Sequence, residues 1–246
     1  MSVVNGNLNN QQATSHNDKK RLRKIVKPPQ SQWKIIWIAG HAATIAFGII
    51  YAIYYVQFKH HSKWIPILSY HLSLIGVWVA YYIAINTQYN LKSLPHYTAL
   101  LATDNVQFLI LSMIWMFNRT SLFKILPYMI IASLQLSQEF NISFLLKFGD
   151  TLSLYILYNE LFLFLLLFID TILMRGTSGF GLALYSMFYW LRILQSENAR
   201  FFLYTNAVKF DGLIGKIKNE KVVRAWATIK KFLTTKQATF EHRYLE

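Results

Sequence analysis

The sequence predicts an all-α membrane protein, a multispanning helical bundle carrying a basic amphipathic helical tail at its carboxy-terminal end. Three observations predict it. Of the 246 residues, 54% are hydrophobic, and the mean hydropathy is positive. The apolar residues gather into long runs edged by Phe, Tyr and Trp, as membrane spans with aromatic belts do. Charge sits at the ends: of 25 Lys and Arg, 7 fall in residues 1–34 and 10 in residues 200–246, within a net charge of +14. Beside membrane spans, such tails suit anionic lipid head groups better than nucleic acid, each basic residue gaining about 1 kcal/mol at an anionic leaflet. The chain has no cysteine, which excludes disulfides, Cys-ligated zinc, iron–sulfur clusters, thiol catalysis and palmitoylation.

Residues 1–32 read as a disordered basic cytosolic tail, rich in Asn, Gln, Ser and Lys, with Lys19-Lys20-Arg21-Leu22-Arg23-Lys24 before Pro28-Pro29. No apolar core follows Met1 within the window of a secretory signal peptide. The basic run is read as a positive-inside flank, with a nuclear-import signal as the other reading.

Residues 33–197 make up the transmembrane domain. Ile35–Val56 is the first span and Ile65–Asn86 the second; the short Gln57–Lys63 turn makes them an antiparallel hairpin. Leu94-Pro95-His96 marks a break, since proline ends a helix before it. Val106–Phe117 and Ile125–Ser137 are apolar but short, and Pro127 interrupts the second. Apolar segments of about 10–14 residues are more often re-entrant or buried than spanning. The pair is therefore either a helical hairpin that dips into the bilayer and wedges one leaflet, or two spans that recruit polar flanks. Thr151–Met174 is long enough to cross, and after the Arg175–Gly179 turn Phe180–Leu191 makes a further span. Arg192 is expected to snorkel to the interface. The count is four spans, or six if the short pair crosses, and either even number puts both tails on one side, the cytosol or nucleoplasm by the positive-inside rule.

Residues 198–246 form the cytosolic amphipathic tail. Phe210, Leu213, Ile214 and Ile217 recur at helical spacing, and Val222, Trp226, Ile229 and Leu233 share a narrower arc. With Lys221, Arg224, Lys230 and Lys231, this second segment reads as a membrane-surface helix, the other reading being docking on the protein's own cytosolic face. These eight residues are the candidate membrane-binding set.

The Thr151–Met174 span poses the chemical question, because Asn159-Glu160 lies near its middle and Asp170 near its end. A charged side chain at mid-bilayer costs about 2.5–3.5 kcal/mol on insertion scales. Glu160 and Asp170 could serve a transporter or ion-channel modulator, but ten positions apart they lie about 80° apart around a helix. No inverted repeat accompanies them. Asn159 and Glu160 are therefore assigned to interhelical polar contact. The histidines, at 16, 41, 60, 61, 71, 96 and 242, form none of the clustered boxes that a membrane di-iron enzyme needs. No phosphate loop or serine elbow is present, so no catalytic residue, metal or cofactor is expected. The sequons at Asn118 and Asn141 are expected to stay unused.

Leu94-Pro95-His96, the stretch from Asp104 to Trp115, Pro127, Asn159-Glu160-x-Phe162-Leu163, and Tyr185-x-x-Phe188-x-x-Leu191-Arg192 before Ser196 and Asn198 resemble the transmembrane protein 33 family. The resemblance covers roughly residues 35–215. It implies a protein of the endoplasmic reticulum and nuclear envelope, without known enzymatic activity, that organises membrane and supports nuclear pore complex distribution or assembly. The partners it implies are nucleoporins, reticulon-type proteins that shape reticulum tubules, and a nuclear import receptor.

Overall fold

A computed structural model describes residues 31–58, 64–89, 100–101, 103–174, 178–214 and 220–245. The amino-terminal tail, His60-His61, the Leu94-Pro95-His96 break and Ile217 lie outside them. The described elements are helical: α1 Ser31–Val56, α2 Trp64–Gln88, α3 Asp104–Met116, α4 Leu122–Glu139, α5 Ser143–Lys147, α6 Gly149–Ile172, α7 Ser178–Gln195, α8 Glu197–Ile214 and α9 Glu220–Leu245.

Among the described residues three helices, rather than four, are long and apolar enough to cross a membrane: Gln32–Val56, Trp64–Gln88 and Gly149–Ile172. The fourth expected span, α7, has 18 residues, about 27 Å of helix against a hydrocarbon core near 30 Å. Polar residues at its carboxy-terminal end lower its hydropathy, and one of them, Arg192, faces inward.

α1 and α2 form the closest pair, and small residues make this possible. A Cβ added to Gly76 would stand 2.7 Å from the Gly40 carbonyl oxygen, so the two backbones touch where both residues lack side chains. Ser73 Oγ donates to the Thr44 carbonyl at 2.9 Å, and Thr44 Oγ1 to the Gly40 carbonyl at 3.0 Å. Without a hydrophobic force between helices in lipid, such close packing and hydroxyl bonding supply the adhesion.

The short pair α3 and α4 is built into the bundle. α3 packs on α2 and α7, while α4 packs on α1 and α6. Tyr128 of α4 still donates its hydroxyl to the Phe108 carbonyl of α3 at 3.1 Å. α4 outruns its apolar stretch at both ends, with Lys124 inside the helix, while α3 stays at 13 residues and opens on Asp104. The core is aromatic: Tyr51, Tyr70, Phe108, Trp115, Tyr128, Tyr185 and Phe188 are buried together with Leu74, Val77 and Leu163.

The chain runs up and down, so the start of α1 meets the end of α4 through a Lys34–Glu139 ion pair. The end of α2, the start of α3 and the end of α7 meet at the same end of the bundle, around Gln88, Thr103 and Gln195. We call this the tail end, because α8 and α9 follow there.

Candidate functional site

Two places carry chemistry: a buried polar centre between α3, α4, α6 and α7, and the α8–α9 pair at the tail end.

The polar centre begins with proline. Pro127 lies inside α4 but does not break it. Proline offers no N–H to the carbonyl four residues back, here that of Phe123, at a cost of about 3 kcal/mol in a helix interior. Asn159 of α6 meets that carbonyl, its Nδ2 donating to Phe123 O at 2.8 Å. In a bilayer no water would do so, and a neighbouring helix supplies the donor. The interruption expected at Pro127 is therefore a continuous helix closed by a cross-helix bond.

Glu160, 2% exposed, follows on the same helix. Its Oε1 lies 3.4 Å from Arg192 Nε, and Arg192 Nη1 donates to Asp104 Oδ1 at 2.6 Å. Tyr185 donates its hydroxyl to the Glu160 backbone carbonyl at 2.9 Å. The Arg192 guanidinium also lies over the Phe108 ring, 4.9 Å from its centroid. The snorkelling orientation expected for Arg192 is corrected: the side chain is 7% exposed and points into the bundle. The buried Glu160 carboxylate, with Asp104 at the bundle's edge, outweighs an interface one turn away. Beside them, Gln107 of α3 and Gln195 of α7 share a side-chain hydrogen bond. Asp170 lies ten residues further along α6, about 15 Å toward the opposite end, so Glu160 and Asp170 share no site.

Lys124, 4% exposed, bonds Asn118 Oδ1 at 2.8 Å and the Arg119 carbonyl at 2.7 Å, and lies over the Trp115 ring. It closes the α3–α4 link and engages the Asn118 sequon side chain. Asn141, in the second sequon, has φ 54° and ends α4 in a left-handed turn. His41 is buried edge-on against Trp37, and His71 Nδ1 lies 2.7 Å from the Ile67 carbonyl.

At the tail end, Arg200 fixes how α8 leaves the bundle. It is 1% exposed, and its Nη1 donates to the Ile193 and Leu194 carbonyls at 3.0 Å each, capping α7. α8 also meets α6 through Tyr158 and Phe202, whose rings pack edge to face at 4.7 Å. α9 folds back on α8 around Asp211, which accepts from Trp226 Nε1 and Lys230 Nζ, each at 2.7 Å. These two bonds hold the Asp211 carboxyl below its ordinary range, the lysine contributing most. Phe232 of α9 stacks on Trp190 of α7, centroids 5.8 Å apart and planes 7° apart.

The eight candidate membrane-binding residues are divided by this docking. Trp226 and Lys230 turn toward α8, and Leu233 is buried, 6% exposed. Val222 and Ile229 remain exposed, with Lys221 and Lys231 exposed around the helix, and Arg224 pairs with Glu220 one turn away. On α8, Phe201 and Phe210 are exposed too.

A curated relative matches nearly the whole chain. It is the uncharacterized membrane protein YGR026W of Saccharomyces cerevisiae, 32% identical over 262 aligned positions that cover 90% of this chain and 92% of the relative. The chain belongs to that membrane-protein family. A second relative, tetra-spanning protein 1 of Schizosaccharomyces pombe, is 29% identical over 125 residues, 48% of this chain and 43% of that protein. No family model matches, and no solved structure matches. The shared family, the apolar helices and the all-α fold establish a multi-pass membrane protein.

Sequence reasoning missed Asp104, Arg200 and Asp211. Asp104 carried a signal, since an acidic residue opening an apolar helix has to be placed somewhere. Arg200 and Asp211 carried none, because charges in a polar tail are unremarkable.

Proposed function

We propose that the protein organises membrane at the endoplasmic reticulum and nuclear envelope, without enzymatic activity, and supports nuclear pore complex distribution or assembly. One observation carries the membrane part: the α8–α9 pair is anchored to the bundle by Arg200, Asp211 and Trp190, yet leaves Phe201, Phe210, Val222 and Ile229 exposed among basic residues. A helical pair that is apolar and cationic, held at the mouth of a membrane bundle, suits the boundary between head groups and acyl chains. Val222 and Ile229 enter the leaflet and Lys221, Arg224 and Lys231 meet anionic head groups, while Trp226, Leu233 and Lys230 set the angle of presentation.

The finer assignment rests on the resemblance to the transmembrane protein 33 family. It supplies the compartment, the nucleoporin and reticulon-type partners and the nuclear import receptor. The name of tetra-spanning protein 1 suits four crossings by α1, α2, α6 and α7, with α3 and α4 held inside the bundle and both termini cytosolic or nucleoplasmic. Imaging a tagged protein with and without residues 206–246 tests the assignment. Reticular and nuclear-rim signal, with altered pore distribution on truncation, is the expected result; plasma-membrane or vacuolar signal overturns it.

A further inference from the structure

A cavity of about 310 Å³ opens among α2, α3, α4, α6 and α7 at the tail end, roofed by the first residues of α8. Its polar lining includes Tyr81, Asp104, Gln138, Arg192 and Asn198. Ile131, Leu134 and Leu157 make an apolar wall. The volume falls within the range of small-ligand pockets, which pair an apolar lining with a few convergent polar groups.

Two features point to an occupant. The Tyr81 hydroxyl is buried, the residue being 5% exposed, and has no hydrogen-bond partner. Buried hydroxyls are rarely left unbonded, because an unmade bond costs about 1–3 kcal/mol. The second feature is charge. Behind and at the edge of the cavity, Glu160 and Asp104 place two carboxylates against the one Arg192 guanidinium. A purely anionic ligand would worsen that imbalance, and a simple cation would leave the Tyr81 donor unused. A group carrying both an anion and a primary ammonium satisfies both.

We propose that the cavity binds the head group of a phosphatidylethanolamine-type lipid. Its phosphate accepts from the Tyr81 hydroxyl and the cavity edge of Arg192, and its ammonium donates to Asp104, which lies at the mouth with 67% of its side chain exposed. The acyl chains leave along Ile131, Leu134 and Leu157. The site lies between spanning helices at the bundle end that carries the tail, where head groups lie. The assignment does not rest on the membrane-organising role.

The test uses the full-length protein in detergent micelles, titrated with phosphatidylethanolamine, phosphatidylcholine or phosphatidylglycerol of identical acyl chains, and with glycerophosphoethanolamine; bound lipid is read by native mass spectrometry. Phosphatidylethanolamine is expected to bind about tenfold tighter than the other two lipids, the methylated amine having no N–H and the glycerol no charge, a factor matching one charge-assisted bond. Tyr81→Phe removes a hydroxyl with no protein partner, so it does not lower the unliganded melting temperature and weakens phosphatidylethanolamine about tenfold. Asp104→Asn has the same effect, and Tyr81→Phe decides alone if Asp104→Asn does not fold. Equal binding of the three lipids, or undiminished binding by Tyr81→Phe, overturns the proposal. So does glycerophosphoethanolamine binding as tightly as the whole lipid, which would make the ligand a soluble phosphoamine.

Discussion

The side-chain amide of Asn159 donates to the Phe123 carbonyl at 2.8 Å, the acceptor that Pro127 leaves without its own helical donor. One bond thus lets α4 run through a proline and ties it to α6. The next residue, Glu160, ties α6 to α7 through Arg192, and Arg192 ties α7 to α3 through Asp104. Four helices are joined by two adjacent side chains and one guanidinium, which accounts for a polar pair in the middle of an apolar span.

Asn159→Ala should destabilise the bundle by about 1–3 kcal/mol, the cost of a buried carbonyl left unsatisfied. Pro127→Ala restores the Phe123 acceptor's own donor, so the double variant should recover most of the loss. Thermal unfolding in detergent measures the cycle. Equal losses in the single and double variants would show that the Asn159 bond is not what Pro127 requires.

Arg192→Ala leaves Glu160 buried without its cation and should cost about 3–5 kcal/mol, the range for breaking a buried pair. Glu160→Gln keeps an acceptor facing Arg192 Nε and should cost less. The carboxylate-to-amide change should leave folding and localisation intact, and a loss of transport or channel modulation in a protein that still folds would instead revive a transport role for Glu160.

Gly76→Leu places atoms where the Gly40 carbonyl already stands 2.7 Å from a Cβ. The α1–α2 pair must separate, at a cost of about 1–3 kcal/mol for overpacking. Oxidative crosslinking of cysteines placed on facing turns of α1 and α2 should fall in this variant and persist in Gly212→Ala, where nothing lies within 4 Å.

The Asp211 clamp has a signed pH dependence. Its carboxyl is held below the ordinary range by Lys230 and Trp226, so its contribution is fully present above the unfolded value of about 3.9 and is lost as pH falls through the lowered folded value. Hydrogen exchange in α9 should therefore be constant from pH 5 to 8 after correction for intrinsic rates. Asp211→Ala should speed it across that whole window, and a clamp that loosened near pH 6 would contradict the assignment.

The spans were legible because apolar runs in a bilayer leave little choice, and α1, α2 and α6 lie within a few residues of where the runs placed them. Where reading failed, the deciding partner was distant or had no sequence signature. Arg192 looks free to snorkel until Asp104, 88 residues away, is brought beside it. The acceptor of Asn159 is a backbone carbonyl, marked only by a proline four residues later. α4 reads as short because its inward polar residue, Lys124, looks like an end, whereas α3 is short in the structure too. Val222, Trp226, Ile229 and Leu233 all lie on α9, but their division between docked and exposed members depends on Asp211, outside that helix.

The central proposal, that the protein organises membrane by inserting the exposed apolar residues of α8 and α9 into the leaflet, is tested most directly by reconstituting the full-length protein into large anionic liposomes and imaging their shape by electron cryomicroscopy. The account predicts tubules or small highly curved vesicles with the wild-type protein, and smooth large liposomes with Val222→Asp/Ile229→Asp at equal incorporation and unchanged melting temperature. Large, undeformed liposomes with the wild-type protein, or equal deformation by both proteins, would contradict it.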